Sequence, residues 1–207
     1  MADDELTGWL QRVEQAHPQE VALGLDRVAA VAAALGRAEL PVPVVTVGGT
    51  NGKGSTVAYL EGALGQAGQR VGAFTSPHFF RFNERARLGG EPLGDAALVE
   101  ALAAVEAARG TTPLTFFEHT TLAVVEALLR AEAEVLLLEV GLGGRLDAVN
   151  IWDPTVAVIT SIGLDHQAFL GRDRETIGTE KAGIFRPDTP AVCGEPEPPD
   201  PAAGSGY

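Results

Sequence analysis

The sequence predicts an α/β protein, a doubly wound, mostly parallel sheet with a phosphate-binding loop at the carboxyl edge of its strands. Three observations carry this. Apolar, β-branched runs at residues 42–47, 70–75, 134–140, 156–161 and 191–193 alternate with segments of helical period, and such alternation implies right-handed crossovers between parallel strands. The run at 134–140 is almost continuously apolar, as a strand must be when both of its faces are covered. The run at 42–47 feeds a glycine-rich turn that opens into a segment with Val57, Leu60 and Leu64 at helical spacing, the layout of strand, anion-binding loop and helix. Ligands of such sheets sit beyond the carboxyl ends of the strands.

In chain order, residues 5–16 and 25–35 have the period of helices, the second with Leu25, Val28, Val31 and Leu35 on one face. Pro41 and Pro43 mark the entry to the first strand. After the loop helix and the strand at 70–75, residues 76–85 interleave aromatics with arginines and show no period; they are read as an ordered surface loop of the kind that carries function. Residues 95–108 and 117–130 are helices by period and alanine content, with Thr112 or Thr115 as cap of the second. A second glycine-rich loop follows at 141–147, a loop at 163–171, a short helix at 175–183 and a last strand at 191–193. The expected organisation is an N-terminal helical segment (1–40), the loop-bearing domain (41–194) and a tail rich in Pro, Glu, Gly and Ser (195–207) that is expected to be mobile.

Bulk composition excludes several classes. With 207 residues and 45% hydrophobic content the chain can bury a real core. Its net charge of -13 argues against a broad nucleic-acid or anionic-membrane surface, so anionic ligands need local positive spots. A single cysteine, Cys193, rules out an internal disulfide and a multi-cysteine zinc site. The acidic start lacks a signal core and no apolar run reaches the ~18 residues of a membrane span, so a cytoplasmic location is expected. Of the 15 basic residues only Lys53 and Lys181 are lysines. Lysine is a compact point charge that can also lose its proton and form an adduct, which arginine does not.

In the first loop, Gly48, Gly49, Gly52 and Gly54 let backbone N–H groups converge, the helix that follows adds its positive end, and Lys53 supplies a mobile ammonium. Ser55 or Thr56 can face a magnesium ion. The match to G-x-x-x-x-G-K-[ST] is imperfect, since Val47 stands at the first glycine and Gly54 separates Lys53 from Ser55; the bland alternative is a flexible turn. Glu139 ends an apolar strand beside glycines, where a carboxylate suits Mg²⁺ better than a core, against the alternative of a solvated strand end. Asp165 and His166 follow the next strand in the same way, although a lone histidine is more often structural. By itself Lys181 reads as a surface lysine, paired with Glu180 or Asp165. Phe116 and Phe117, with Thr115, Glu118 and His119, read either as core with a capped helix start or as the wall of a flat heterocycle pocket.

Together, Gly-Gly-Thr-Asn-Gly-Lys-Gly-Ser-Thr at 48–56, Ser-Pro-His at 76–78, Glu-Val-Gly-Leu-Gly-Gly-Arg-Leu-Asp-Ala at 139–148 and Glu-Lys-Ala-Gly-Ile-Phe at 180–185 resemble the folylpolyglutamate synthase and dihydrofolate synthase family, which belongs with the Mur ligases. The resemblance covers about residues 23–198 and implies an ATP-dependent amide ligase. The pterin substrate's carboxylate attacks the γ-phosphate of ATP, and the amino group of L-glutamate displaces phosphate from the acyl phosphate. By motif position it implies that Thr50, Asn51, Gly52, Lys53, Gly54, Ser55 and Thr56 bind ATP. It places Ser76 and Glu139 on one Mg²⁺, with Ser55 as a further donor, and His166 and a carbamylated Lys181 on a second. Lys53, His166 and Lys181 are then the catalytic residues. The pterin segments are Ala22, Leu23, Gly24 and Leu25; Thr115, Phe116, Phe117 and Glu118; and Leu146, Asp147 and Ala148. Val149 departs from a frequent threonine without consequence for the site. Relatives continue the sheet and add a C-terminal domain that the chain does not reach.

The fold expectation is therefore a Mur-ligase-like central domain, incomplete, acting as a monomer on dihydropteroate or folate and L-glutamate, with the C-terminal ligase domain absent and supplied in cis or in trans. A nucleotide-binding fragment without turnover and a Mur-type cell-wall peptide ligase are the alternatives.

Overall fold

The computed structural model describes residues 2–16 and 23–199. Its elements are α1 (Ala2–Gln15), α2 (Asp26–Ala34), β1 (Val44–Gly48), α3 (Lys53–Gln66), β2 (Val71–Phe74), β3 (Ala86–Leu88), β4 (Glu91–Pro92), α4 (Asp95–Arg109), α5 (Phe116–Arg130), β5 (Val135–Glu139), β6 (Val156–Ile159), α6 (Gln167–Leu170), α7 (Arg174–Ala182) and β7 (Ala191–Cys193), with 3₁₀ turns at Phe82–Arg85 and Ala148–Ile151. They build a seven-stranded sheet in the order β4-β3-β2-β5-β1-β6-β7. From β2 to β7 every pairing is parallel, and β3 and β4 add an antiparallel edge. The doubly wound, mostly parallel α/β expectation holds.

Strand pleat sorts the core. Along β5, Val135 and Leu137 join Val47, Val57, Val71 and Ala73 beneath α3, whereas Leu136 and Leu138 join Phe74, Leu102 and Leu128 on the opposite face. Glu139 continues the alternation onto the α3 face, paired in register with Val47 of β1. That register delivers its carboxylate to the start of the loop that β1 feeds. On the other face α5 is buried on nearly every side, from Glu118 to Leu128, as a helix must be when it is sandwiched between a sheet and further helices. Leu6 and Val13 of α1 and Val28 and Val31 of α2 share that core with α4 and α5, so the N-terminal helical segment packs into the domain that follows it.

Thr115, one of the two candidate caps, starts α5. Its hydroxyl accepts from the Glu118 N–H at 3.2 Å, and the Glu118 carboxylate accepts from the Thr115 N–H at 2.8 Å, a reciprocal box in which the cap contributes about 1 kcal/mol. Three features escaped the sequence reading, one of them the single-turn helix α6 at Gln167–Leu170 inside the expected loop 163–171. The β3–β4 hairpin turns through Gly89 and Gly90, both at positive φ; its strands are too short for a period, and Pro92 suits an edge. The composition change at Gly194 does not end the packing either: Glu195 accepts from the Ile162 N–H at 2.8 Å and pairs with Arg174 at 3.3 Å. The expected tail therefore begins docked over residues 195–199, and 200–207 lie outside the described residues. Among the described residues no helix is long and apolar enough to cross a membrane.

Candidate functional site

The loop between β1 and α3 is strapped to the end of β6 by hydroxyls. The Thr50 N–H donates to Ser161 O at 2.8 Å, and its Oγ1 bridges Gly163 N and O at 2.9 and 3.2 Å. Thr160 Oγ1 donates to Asn51 O at 2.7 Å, and Ser161 Oγ accepts from Asn51 N at 3.0 Å. Gly49 is required for this closeness: it sits at φ +141°, and a Cβ there would lie 1.9 Å from Thr160 Oγ1 and 3.0 Å from Thr160 N. Gly52, at φ 83°, turns the chain into α3. With the strap made elsewhere, the N–H groups of residues 52–55 have no acceptor among the described residues, and Asn51, Gly52, Gly54 and Ser55 are exposed. Lys53 meanwhile donates only to Gly49 O at 3.0 Å and Thr50 O at 3.4 Å. An open set of N–H groups at a helix start beside a loosely held ammonium is a receptor for a polyanion.

Glu139 is 5% exposed, which removes the reading of a solvated strand end. Its Oε2 accepts from the Ser76 N–H at 3.0 Å. A Cβ on Gly54 would lie 3.8 Å from both of its oxygens, so the first turn of α3, Ser76 and Glu139 form one cluster. Burial pushes the Glu139 carboxyl up, opposed by the Ser76 N–H, Lys53 and Arg87. The residues of this corner offer hard oxygen donors, and only one of the two Glu139 oxygens carries a hydrogen bond, so they fit a divalent ion such as Mg²⁺.

Lys181 is 3% exposed, not a surface residue. Glu180, its expected partner, is held instead by Arg145 at 2.8 Å, with the Arg145 N–H on Glu180 O. Burial first, then the nearby Lys53, lowers the Lys181 ammonium to about 8, with Asp165 acting the other way. His166 lies half-exposed at φ 46°, its Nε2 3.6 Å from Asp165 Oδ2. The charge of Lys53 acts on Glu139, Asp147 and Lys181 alike, favouring proton loss from each.

Beside them opens a cleft of about 750 Å³, walled by Leu23, Thr115, Phe116, Phe117, Glu118, Leu146, Asp147, Ala148 and Phe169, with Ser76, Arg85 and His166 along it. The three pterin segments expected from sequence thus meet at one cavity. Leu25 differs, packing on the main core; Gly24, at φ +143°, is not a cleft-lining residue, and Ala22 lies outside the described residues. The second glycine loop lies against the Phe117 ring, which a Cβ on Gly141 would approach to 2.6 Å. Asp147 closes that loop on itself: Oδ2 accepts from Gly141 N and Leu142 N at 3.0 and 2.8 Å, and Oδ1 from Val149 N at 3.1 Å. Burial outweighs these bonds and raises its carboxyl to about 6. Glu118 faces Arg27 at 2.9 Å.

Sequence reasoning missed the floor of the cleft. Arg85 is 8% exposed, lies over the Phe82 and Phe116 rings at 5.7 and 5.8 Å, and donates from Nε to His78 Nδ1 at 2.9 Å. Glu84 gathers the N–H groups of Phe79, Phe80 and Arg81 at 2.7, 2.8 and 2.6 Å. The interleaving of aromatics and arginines over 76–85 was the available signal, and it does not say which arginine turns inward.

A family profile described as Mur ligase middle domain matches residues 47–191. The dihydrofolate synthase/folylpolyglutamate synthase of Escherichia coli K12 is 51% identical over 199 residues, which is 96% of this chain and 47% of that protein. Among solved structures, E. coli FolC in complex with DHPP and ADP superposes with a TM-score of 0.92 at 51% identity, covering 96% of this chain and 48% of that one. A bifunctional folylpolyglutamate synthase/dihydrofolate synthase with Mn, AMPPNP and L-glutamate bound gives 0.88 at 49% identity, with 96% and 48% coverage. The chain spans about half the length of the curated relatives it matches.

Proposed function

The chain belongs to the Mur ligase middle-domain family, and from that premise we propose that it carries the ATP- and acid-binding half of a ligase that joins L-glutamate to dihydropteroate or folate. The observation that carries this reading is the place of Ser76, which lines the aromatic cleft and whose N–H bonds Glu139 Oε2 at 3.0 Å, within reach of Gly54 in the open row of N–H groups. A polyanion on the loop and a flat acid in the cleft then sit on either side of the Ser76–Glu139 corner. The relatives named with DHPP and ADP, and with Mn, AMPPNP and L-glutamate, bind ligands of these classes.

In this reading the acid's carboxylate oxygen attacks the γ-phosphorus and ADP leaves; the amine of glutamate then attacks the acyl carbon and phosphate leaves. Little of this needs a protein acid or base. It needs charge neutralised and reactants aligned. Lys53 and the N–H groups of residues 52–55 hold phosphate oxygens, with Asn51 and Thr50 fixing the loop and Ser55 and Thr56 opening the helix. Mg²⁺ held by Glu139 and the Ser76 hydroxyl, with Ser55 as a further donor, would neutralise charge between the outer phosphates. His166 and Lys181 would serve a second ion. A lysine that titrates at about 8 has a neutral fraction able to add CO2, releasing a proton and converting an ammonium into an anionic carbamate that favours a cation.

Turnover is expected to need a further domain, in cis or in trans, that covers the nucleotide and excludes water. The chain is read as a monomer in the cytoplasm acting on small molecules. Calorimetric titration of the 207-residue chain with MgATP and with dihydropteroate tests the reading, with binding of both expected. Failure of either to bind overturns it, and steady dihydrofolate production by this chain alone overturns the need for a second domain.

A further inference from the structure

Arg85 is the one arginine among the described residues that is buried, and among those residues no carboxylate lies within ion-pair distance of it. Other half-buried arginines are paired: Arg27 with Glu118, Arg37 with Glu126, Arg87 with Glu61 and Arg109 with Glu106. In a chain with 28 acidic and 15 basic residues, an inward guanidinium left without an acid is a charge whose partner comes from elsewhere, because an unpaired buried charge is costly.

Three features aim this charge. His78 Nδ1 accepts from Nε at 2.9 Å and fixes the plane of the group. Phe82 and Phe116 flank the guanidinium at 5.7 and 5.8 Å and hold it by cation–π attraction without neutralising it. Its two terminal nitrogens make no hydrogen bond with the described residues, yet neither is a sealed, unsatisfied atom; Arg85 opens onto the cleft that also holds Phe117, Ser76 and Glu118. Two parallel N–H donors match an oxyanion held bidentate, carboxylate or phosphate, and the flanking Phe82 and Phe116 rings favour the carboxylate of an aromatic acid whose ring lies among them.

We propose that Arg85 is the specificity-determining residue for the acid substrate, docking the carboxylate that is to be activated. The proposal rests on the ligase reading above and adds to it how an acid is told from a neutral analogue. Phosphate is served separately, by Lys53 and the open N–H row, so Arg85 holds the acid alone. A guanidinium keeps a carboxylate ionised and in plane, as a nucleophile must be.

The test compares pteroate with its primary carboxamide by calorimetric titration of the 207-residue chain. Wild type is expected to prefer the acid by on the order of tenfold or more. Arg85→Met, which keeps most of the stacking volume, is expected to bind acid and amide alike, with MgATP affinity as in wild type, and Arg85→Lys to recover part of the preference. Equal affinity of wild type for acid and amide overturns the proposal with no variant needed, as does an acid preference that survives in Arg85→Met. Loss of MgATP binding in Arg85→Met with the preference intact assigns the guanidinium to the nucleotide and overturns it too. If wild type binds neither pterin, the ligase reading itself falls, an outcome separate from equal binding of both.

Discussion

The two glycine-rich loops look interchangeable as sequence and do opposite things. In the first, hydroxyls of Thr160 and Ser161 on the neighbouring strand end hold the loop, and the N–H groups of residues 52–55 stay open. In the second, Asp147 takes the N–H groups of Gly141 and Leu142, and Glu180 O takes that of Arg145. The second loop thus commits the N–H groups of Gly141, Leu142, Arg145 and Asp147 to acceptors within the fold and has no run of four open donors at a helix start like that of residues 52–55, so it makes a wall rather than an anion cradle. What separates a receptor from a wall is therefore where the backbone donors go, not how many glycines surround them.

The largest expected effect concerns the strap of the first loop. Gly49→Ala puts a Cβ 1.9 Å from Thr160 Oγ1 at a φ of +141°, and a loss of about 3 kcal/mol or more in denaturant unfolding is expected. Wild-type stability in that variant would mean the strap does not hold the loop. Next, Lys53→Ala is expected to weaken MgATP binding by about 1.5–3 kcal/mol, with unfolding midpoint and pteroate affinity unchanged. Lys53→Arg should rescue it poorly, because a wide planar fork does not replace a compact ammonium among close-packed glycines. Equal MgATP titration curves for wild type and Lys53→Ala would make the first loop a wall like the second.

The second loop is probed by pH. Asp147 holds its proton more tightly folded than unfolded, about 6 against 3.8. Its contribution to stability is therefore fully present below 3.8 and is lost as pH rises through about 6. The stability of Asp147→Asn relative to wild type should accordingly rise from acid to neutral pH in paired denaturant melts. A difference that stays flat across that window would show that Asp147 does not titrate there. The smallest effect is expected at Arg145→Ala. Its ion pair with Glu180 is half-exposed and is worth at most about 1 kcal/mol, with MgATP affinity unaffected; a larger loss would show that this bridge sets the seat of Lys181.

Local sequence patterns carry much of the fold and part of the site. Residues 134–140 announce a doubly covered strand, the turn at 48–54 announces an anion loop, and Glu139 stands out because a carboxylate interrupts an apolar run. Thr115 with Glu118 carries its own capping signature. Each of these patterns is decided by neighbours a few residues away, and local physics reads them correctly. The β3–β4 edge is not legible in the same way, since strands of three and two residues have no period to detect.

By itself, then, the sequence determined the order of the parallel strands and the longer helices, the glycine-rich loop after β1 and the set of residues gathered at the carboxyl edge. Only the tertiary structure decided their state. Lys181 reads as solvated until Glu180 is found on Arg145 and the side chain is found buried. Asp147 enters the sequence reading only as part of a pterin segment, and that it closes its own loop through three N–H groups is seen only in the fold; Arg85 is one arginine of several until the other half-buried ones find acids and it does not. Desolvation and pairing depend on groups brought from distant segments, and a string of residues does not record those distances until the sheet and its helices set them.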